Sequence, residues 1–151
     1  MRTGSEHQAR LERLESELPA LVQTWRWRPG VEALQALRGV PCTAAVILSA
    51  DLGALTRVAK PRHLMRSLGL RPSEHPTGEH RRQGGLTKTG TAHARRALLE
   101  GAGAYRSPAQ VSRHWHLRLE TVSKASQDLS GQAPGRLGKR YRRLVARSPW
   151  R

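Results

Sequence analysis

From Arg71 to Gly90 the chain carries Pro72, Pro76, Gly78, Gly84, Gly85 and Gly90 and almost no apolar side chain. A helix does not run through such a stretch, because proline removes a backbone donor and glycine loses the most conformational freedom on ordering. Any core must therefore be assembled from the segments on either side. In a small domain, a polar loop of this length is either functional or disordered.

The flanking segments read as helices. Leu11, Leu14, Leu18 and Leu21 recur at spacings of three and four, with Trp25 next in register, which is a heptad seam about two heptads long. Pro19 lies inside it and predicts a kink or a stop. The seam fits an amphipathic helix packed on the domain or the end of a coiled coil. Pro29 and Gly30 mark a turn. Val31 to Leu37 then reads as a short helix stopped by Gly39, and Thr43 to Leu52 as a second helix ended by Gly53. Pro61 suits the first turn of a third, Arg62 to Leu68, which Gly69 ends. From Thr91 to Tyr105, Ala94, Ala97, Leu98, Gly101 and Tyr105 share one stripe, the predicted buried face. Ser107-Pro108-Ala109-Gln110 has the form of a helix start, and Val111, Trp115, Leu119 and Val122 follow at helical spacing. Gly131, Pro134, Gly135 and Gly138 predict a weak, broken stretch before a basic end. With no Phe and aromatics at 4%, the core must be small and built from Leu, Val and Ala. The expected fold is all-α: a small helical domain with a helix-hairpin-helix-like element, a long basic Gly/Pro loop and a basic C-terminal tail. Its expected parts are an N-terminal helix over 1–30, a central domain over 31–105 and a basic helical tail over 106–151.

Charge narrows the function. Lys and Arg number 27 against 11 Asp and Glu, a formal charge of +16. Such a chain repels itself unless a polyanion neutralises it, and nucleic acid is the polyanion these spacings suit. An anionic membrane asks for a basic helix with a bulky apolar face, and no membrane partner is expected. The run Ala44 to Leu48 is too short to span a bilayer, and residues 1–13 are too polar for a signal peptide. The lone Cys42 permits no internal disulfide, which fits a reducing, cytoplasmic setting.

Four groups of residues invite a chemical reading. Leu37 to Cys42, leading into the helix from Thr43, resembles a helix-hairpin-helix turn, in which backbone amides beside Gly39 meet a phosphate. A hairpin that only packs is the competing reading. In the long loop, Gly78, Gly84, Gly85 and Gly90 let a backbone approach a phosphate closely, while Arg81, Arg82, Lys88, Arg95 and Arg96 supply fixed charge. Its spacing is not that of a Walker A loop. His75, His80, His93, His114 and His116 match no common zinc spacing, so neither metal nor other cofactor is expected in this chain. In the tail, Lys139, Arg140, Arg142 and Arg143 surround Tyr141 with no acid nearby, a pattern suited to phosphates and a stacked base.

A longer pattern runs through these residues. It begins at Glu32-Ala33-Leu34-Gln35-Ala36-Leu37-Arg38-Gly39-Val40 and passes through Ala50-Asp51-Leu52-Gly53 and Pro61-Arg62-His63-Leu64. It is strongest over Leu68-Gly69-Leu70-Arg71-Pro72-Ser73-Glu74-His75, Arg81 to Gly90 and His93-Ala94-Arg95-Arg96, and returns at Lys139 to Leu144. It resembles the insertion-sequence transposases that join an N-terminal RuvC-like DEDD domain to a C-terminal transposase domain, the bridge-RNA-guided recombinases. The resemblance implies an enzyme that cuts and joins DNA strands. It implies divalent metal, Mg, held by acidic residues of the N-terminal domain, and a coiled coil leading from that domain into Leu11 to Trp25. It also implies a serine just before a loop glycine that attacks a DNA phosphodiester.

Here the position before Gly78 is Thr77, Pro76 precedes it, and the nearest serine is Ser73. Threonine keeps the hydroxyl but is bulkier and β-branched. On this resemblance the chain is the C-terminal, DNA-binding part of a transposase, truncated and inactive alone. Its expected partners are DNA, a guide RNA, and a second copy or the parent transposase. The residues alone also fit a stand-alone architectural, regulatory or RNA-binding protein.

Overall fold

The structure, a computed structural model, describes residues 3–53, 58, 60–77, 80–108 and 113–147, with only the backbone described at 3, 75–77, 80–83 and 114. Helices dominate in the order α1 (Thr3–Thr24), α2 (Arg28–Gln35), α3 (Cys42–Leu52) and α4 (Pro61–Ser67). Two strands follow, β1 (Pro72–Thr77) and β2 (His80–Leu86). Helix α5 (Ala92–Gly103), a 3-10 turn (Ala104–Arg106), α6 (Arg113–Glu120) and α7 (Lys124–Arg147) complete the chain. The all-α expectation holds. The helix start expected at Ser107 to Gln110, and Val111 after it, run into residues 109–112, outside the described residues.

The core is small and aliphatic. Val22, Val31, Val40, Ala44, Ala45, Leu48, Leu68, Ala94 and Ala97 form one buried cluster, edged by half-buried Trp25, Leu37, Leu64 and Leu98. Helix α3 is apolar on most sides because it packs against both α2 and α5. The stripe expected on α5 is the buried one: Ala94, Ala97, Gly101 and Tyr105 all face inward. Gly39 takes φ +82, and a Cβ on it would overlap the Gly101 carbonyl oxygen. The turn between α2 and α3 can therefore lie directly on α5 only as glycine.

Several expectations need correction. Pro29 and Gly30 do not mark a turn but lie in the first turn of α2, where proline's missing amide is not needed. The Gly/Pro loop is not irregular: β1 and β2 pair antiparallel, with Glu74 opposite Gln83, His75 opposite Arg82, Pro76 opposite Arg81 and Thr77 opposite His80. The register slips between Pro72 and Glu74, where the Ser73 hydroxyl donates to the Gly85 carbonyl oxygen (3.1 Å). Prolines are tolerated because a two-stranded ribbon consists only of edges. Pro19 does not end α1, since the carbonyl it strands, that of Glu15, lies on an exposed turn where water can reach it. The expected broken stretch of Gly131, Pro134, Gly135 and Gly138 lies inside the continuous helix α7.

Tertiary contacts hold α7 where local propensity does not. At its start the Ser126 amide donates to the Ser123 hydroxyl, a side-chain N-cap, and the Gln127 side-chain amide donates to the Leu119 carbonyl near the end of α6 (2.8 Å) and to the Val122 carbonyl in the turn after it (3.1 Å). Seven residues in, the buried Ser130 hydroxyl donates to the Ala36 carbonyl at the end of α2, which also accepts from Trp115 Nε1 (2.9 Å). Two tail side chains thus satisfy one orphan carbonyl of the central helices. Arg38 completes the attachment by donating to the Pro108 carbonyl (3.0 Å). By contrast, α1 packs only through its last turns: Val22 is buried, but Leu11, Leu14 and Leu21 of the heptad seam are 55%, 49% and 65% exposed.

Candidate nucleic-acid interface

Charge is segregated along the chain. Residues 1–24 hold three basic and four acidic side chains, whereas residues 25–151 hold 24 basic and 7 acidic. The site residues expected from the sequence carry part of that surplus on the ribbon, on the junction at its base and on α7.

The ribbon projects from the core. Its strands have few neighbours other than each other, and five steps of about 3.3 Å place Thr77 roughly 17 Å along β1 from Pro72. Thr77 is the last residue of β1, and Arg81 and Arg82 pair with Pro76 and His75 just below it. Gly78, between the strands, lies outside the described residues. The loop cations expected to act together are therefore divided. Arg81 and Arg82 sit near the tip with Thr77, while Lys88, Arg95 and Arg96 sit at the base.

The base is a locked junction. Gly69 (φ +62) ends α4, and its carbonyl accepts from the Lys88 amide (3.1 Å); the Thr87 amide donates to the Arg71 carbonyl (2.9 Å). Lys88 itself holds φ +53, a left-handed conformation in which a side chain is disfavoured. Gly90 (φ +91) then passes so close to α4 that a Cβ would overlap the Ser67 carbonyl oxygen. Arg95 binds the layers together. Its Nη1 donates to the Leu68 carbonyl (3.0 Å) and the Lys88 carbonyl (3.1 Å). That guanidinium is occupied by protein, so Arg95 holds the ribbon in place instead of projecting from it. Arg96 is exposed and pairs with Glu100 (2.9 Å) one turn on. The N-terminus of α5 is also engaged, because Asp51 Oδ2 accepts from the Ala94 amide (3.2 Å).

Among the glycines expected to meet phosphate, Gly39 and Gly90 meet neighbouring backbone and Gly84 meets the Ser73 hydroxyl. Gly85 faces open space. Backbone conformation explains the first two without a ligand.

The tail carries the most regular cationic surface. Arg136, Arg140, Arg143 and Arg147 recur at intervals of four, three and four, so they form one stripe about 16 Å long on α7, and all are exposed. Lys139 and Arg142 flank it. Half-buried Tyr141 and Pro134, with Gly138 lying 3.8 Å from the Tyr105 carbonyl oxygen at its Cβ position, face the core. Arg142 and Arg106 line a cleft of about 220 Å3 beside Tyr105. Burial raises the Tyr105 phenol above its ordinary value of 10.0, against the opposing pull of the Arg38 guanidinium. Lys139, Arg140, Arg142 and Arg143 are the tail cations expected from the sequence; Arg136 and Arg147 are not among them. Helical spacing across Gly138 is the signal that finds them, once α7 is known to be unbroken.

Among the described residues no three His, Cys, Asp or Glu side chains converge as a metal site. No described helix is long and apolar enough to cross a membrane.

These elements define a small helical domain bearing a projecting basic ribbon and a cationic C-terminal helix. The chain belongs to the IS116/IS110/IS902 transposase family, whose model matches residues 31–116, from α2 into α6. A Sinorhizobium fredii protein named as a transposase, y4qE, is 40% identical over 142 residues, which is 93% of this chain and 36% of that protein. A Pseudomonas aeruginosa protein named as a family 20 transposase is 32% identical over 97 residues, 64% of this chain and 28% of that protein. The chain thus spans only about a third of the length of these relatives.

Proposed function

We propose that this chain is the DNA-handling, C-terminal part of an insertion-sequence transposase, and that it binds nucleic acid through its cationic surfaces. The observation that carries this reading is the exposed stripe Arg136, Arg140, Arg143 and Arg147 on a helix fastened to the core through Ser130. Rigid attachment matters because a fixed row of cations meets a phosphate backbone without first having to be ordered. Lys139 and Arg142 widen the stripe, and Lys88 with Arg81 and Arg82 extends phosphate contact along the ribbon. Contacts of this kind fix position and register and carry no sequence information directly.

In strand cleavage and joining, Thr77 occupies the position of the attacking hydroxyl. Its placement at the end of a projecting ribbon supports that role, since a nucleophile held away from the core can reach a phosphodiester lying on the protein surface. The attack would join the Thr77 oxygen to phosphorus and release the strand's sugar hydroxyl, with Arg81 and Arg82 offsetting charge on the phosphoryl oxygens. Divalent metal, Mg, belongs on this reading to an acidic domain of the longer transposase. A guide RNA is a further partner of the basic surface. The exposed leucines of α1 support a second copy or the parent transposase as the protein partner.

The test is a salt titration of duplex DNA binding by the full chain. Binding through several phosphates gives a steep linear fall of log affinity with log salt, about 0.9 per phosphate neutralised. Affinity that does not change between low and high salt sinks the proposal.

A further inference from the structure

Away from the tail, a groove of about 540 Å3 runs between α4 and the start of β1. Its arginines, Arg62, Arg66 and Arg71, are not among the phosphate-binding cations expected from the sequence. Arg62 and Arg66 stand one helical turn apart on one wall, and Arg71 stands on the other. Met65 and Leu70 contribute its apolar lining, and His63 lines it too. The backbone under these side chains is held in place: the Leu70 amide donates to the Met65 carbonyl (2.9 Å), and the Arg71 carbonyl accepts from the Thr87 amide across the ribbon's base. Its one acid, Glu74, pairs with Arg71 (3.5 Å), while the ion pairs among the described residues include neither Arg62 nor Arg66.

We infer that this groove holds an unpaired base of a single nucleic-acid strand, with the neighbouring phosphates on Arg62 and Arg66. The inference rests on the nucleic-acid-binding reading above and adds a subsite to it. A phosphate alone has no use for apolar lining, and a duplex presents its charged backbone outward while keeping base faces stacked inside. An unstacked base has flat apolar faces and polar edges. Proteins receive such bases on histidine rings, guanidinium planes and apolar side chains. Here all three line one concavity, and the Arg71–Glu74 pair places donors and an acceptor at its rim. Arg62 and Arg66, with Cβ atoms about 6 Å apart, suit successive phosphates of a strand threading past. The occupant is a strand opened during cleavage and joining, or an unpaired loop of RNA; the shared chemistry is the exposed base.

The experiment compares a single strand of DNA, the matching RNA strand and the matching DNA duplex by fluorescence anisotropy with the full chain, at fixed salt. The variant His63→Ala/Met65→Ala changes two exposed side chains at the groove. It is expected to weaken both single strands about tenfold, as loss of base stacking does, and the duplex less than twofold. Equal losses on strand and duplex, or no loss on either strand, overturn the inference while leaving general nucleic-acid binding intact. Absence of binding to all three by the unaltered chain overturns the underlying reading instead. A second readout needs no variant: 2-aminopurine placed along the single strand should change its emission on binding at one or two positions, and a uniform response at every position overturns the subsite. The arm that binds more tightly, DNA or RNA, identifies the source of the base.

Discussion

Replacing Arg95 with Gln separates two roles that a basic residue at the mouth of a loop can play. In the structure its guanidinium ties the end of α4 to the exit of the ribbon, through the Leu68 carbonyl at 3.0 Å and the Lys88 carbonyl at 3.1 Å. Each hydrogen bond from a charged donor contributes about 1.5–3 kcal/mol, and the half-buried position allows water to recover part of that. A net loss of about 2–3 kcal/mol follows. At about 3 °C per kcal/mol for a chain of this size, the thermal midpoint should fall by about 6–9 °C. Circular dichroism melts of the parent and Arg95→Gln chains read this directly, and the slope of log affinity against log salt should be unchanged. A midpoint that holds within about 2 °C while the salt slope drops by about 1 would show that Arg95 meets a phosphate, and would refute its structural assignment.

Other outcomes follow from the same geometry. Gly90→Ala introduces a Cβ at φ +91 that overlaps the Ser67 carbonyl oxygen, so it should cost at least about 2 kcal/mol in urea unfolding; a change below about 0.5 kcal/mol would mean the junction is loose. Asp51→Ala removes the carboxylate that accepts from the Ala94 amide and should cost about 1 kcal/mol, the usual loss for a helix cap. Tyr105 keeps its proton to higher pH in the folded chain because of burial. The stabilisation from this raised value is fully present below pH 10.0, the unfolded value, and is lost as pH rises from there through the folded value. Tyr105→Phe should flatten that alkaline decline in a series of melts from pH 9 to 11, and an identical decline in both chains would count against it.

Much of the helical framework is legible in the residues, because burial on one side imposes a period. The stripe Ala94, Ala97, Gly101 and Tyr105 is of this kind, and so are the stops at Gly53 and Gly69. The ribbon is not legible for the complementary reason. It has little core to face, so Pro72 to Leu86 shows no alternation of apolar and polar residues, and its prolines and glycines read as a loop. Helix α7 is obscured by Gly131, Pro134, Gly135 and Gly138, whose poor helix propensity is outweighed by Ser130 and Trp115 acting over long sequence distances and by Gln127 bonding back to the preceding turn. The site divides in the same way. Arg140 and Arg143 are visible as a basic run, but Arg136 and Arg147 join them only on an unbroken helix. The role of Arg95, whose guanidinium is taken up by the Leu68 and Lys88 carbonyls, depends on tertiary placement that no local pattern encodes, whereas Arg62 and Arg66 lie one turn apart on an expected helix and only the groove they share with Arg71 is hidden from the sequence.

The central claim is that α7 presents a fixed row of cations to nucleic acid while α1 does not. Its most direct measurement is the salt dependence of duplex binding for Arg136→Gln/Arg140→Gln/Arg143→Gln beside the control Arg10→Gln/Arg13→Gln, two exposed arginines of α1. The account predicts that the α7 variant loses about 2–3 from the magnitude of the log–log slope, close to 0.9 for each phosphate contact removed, while the control keeps the parent slope. Equal slopes in both variants, or the larger loss in the α1 control, would contradict it.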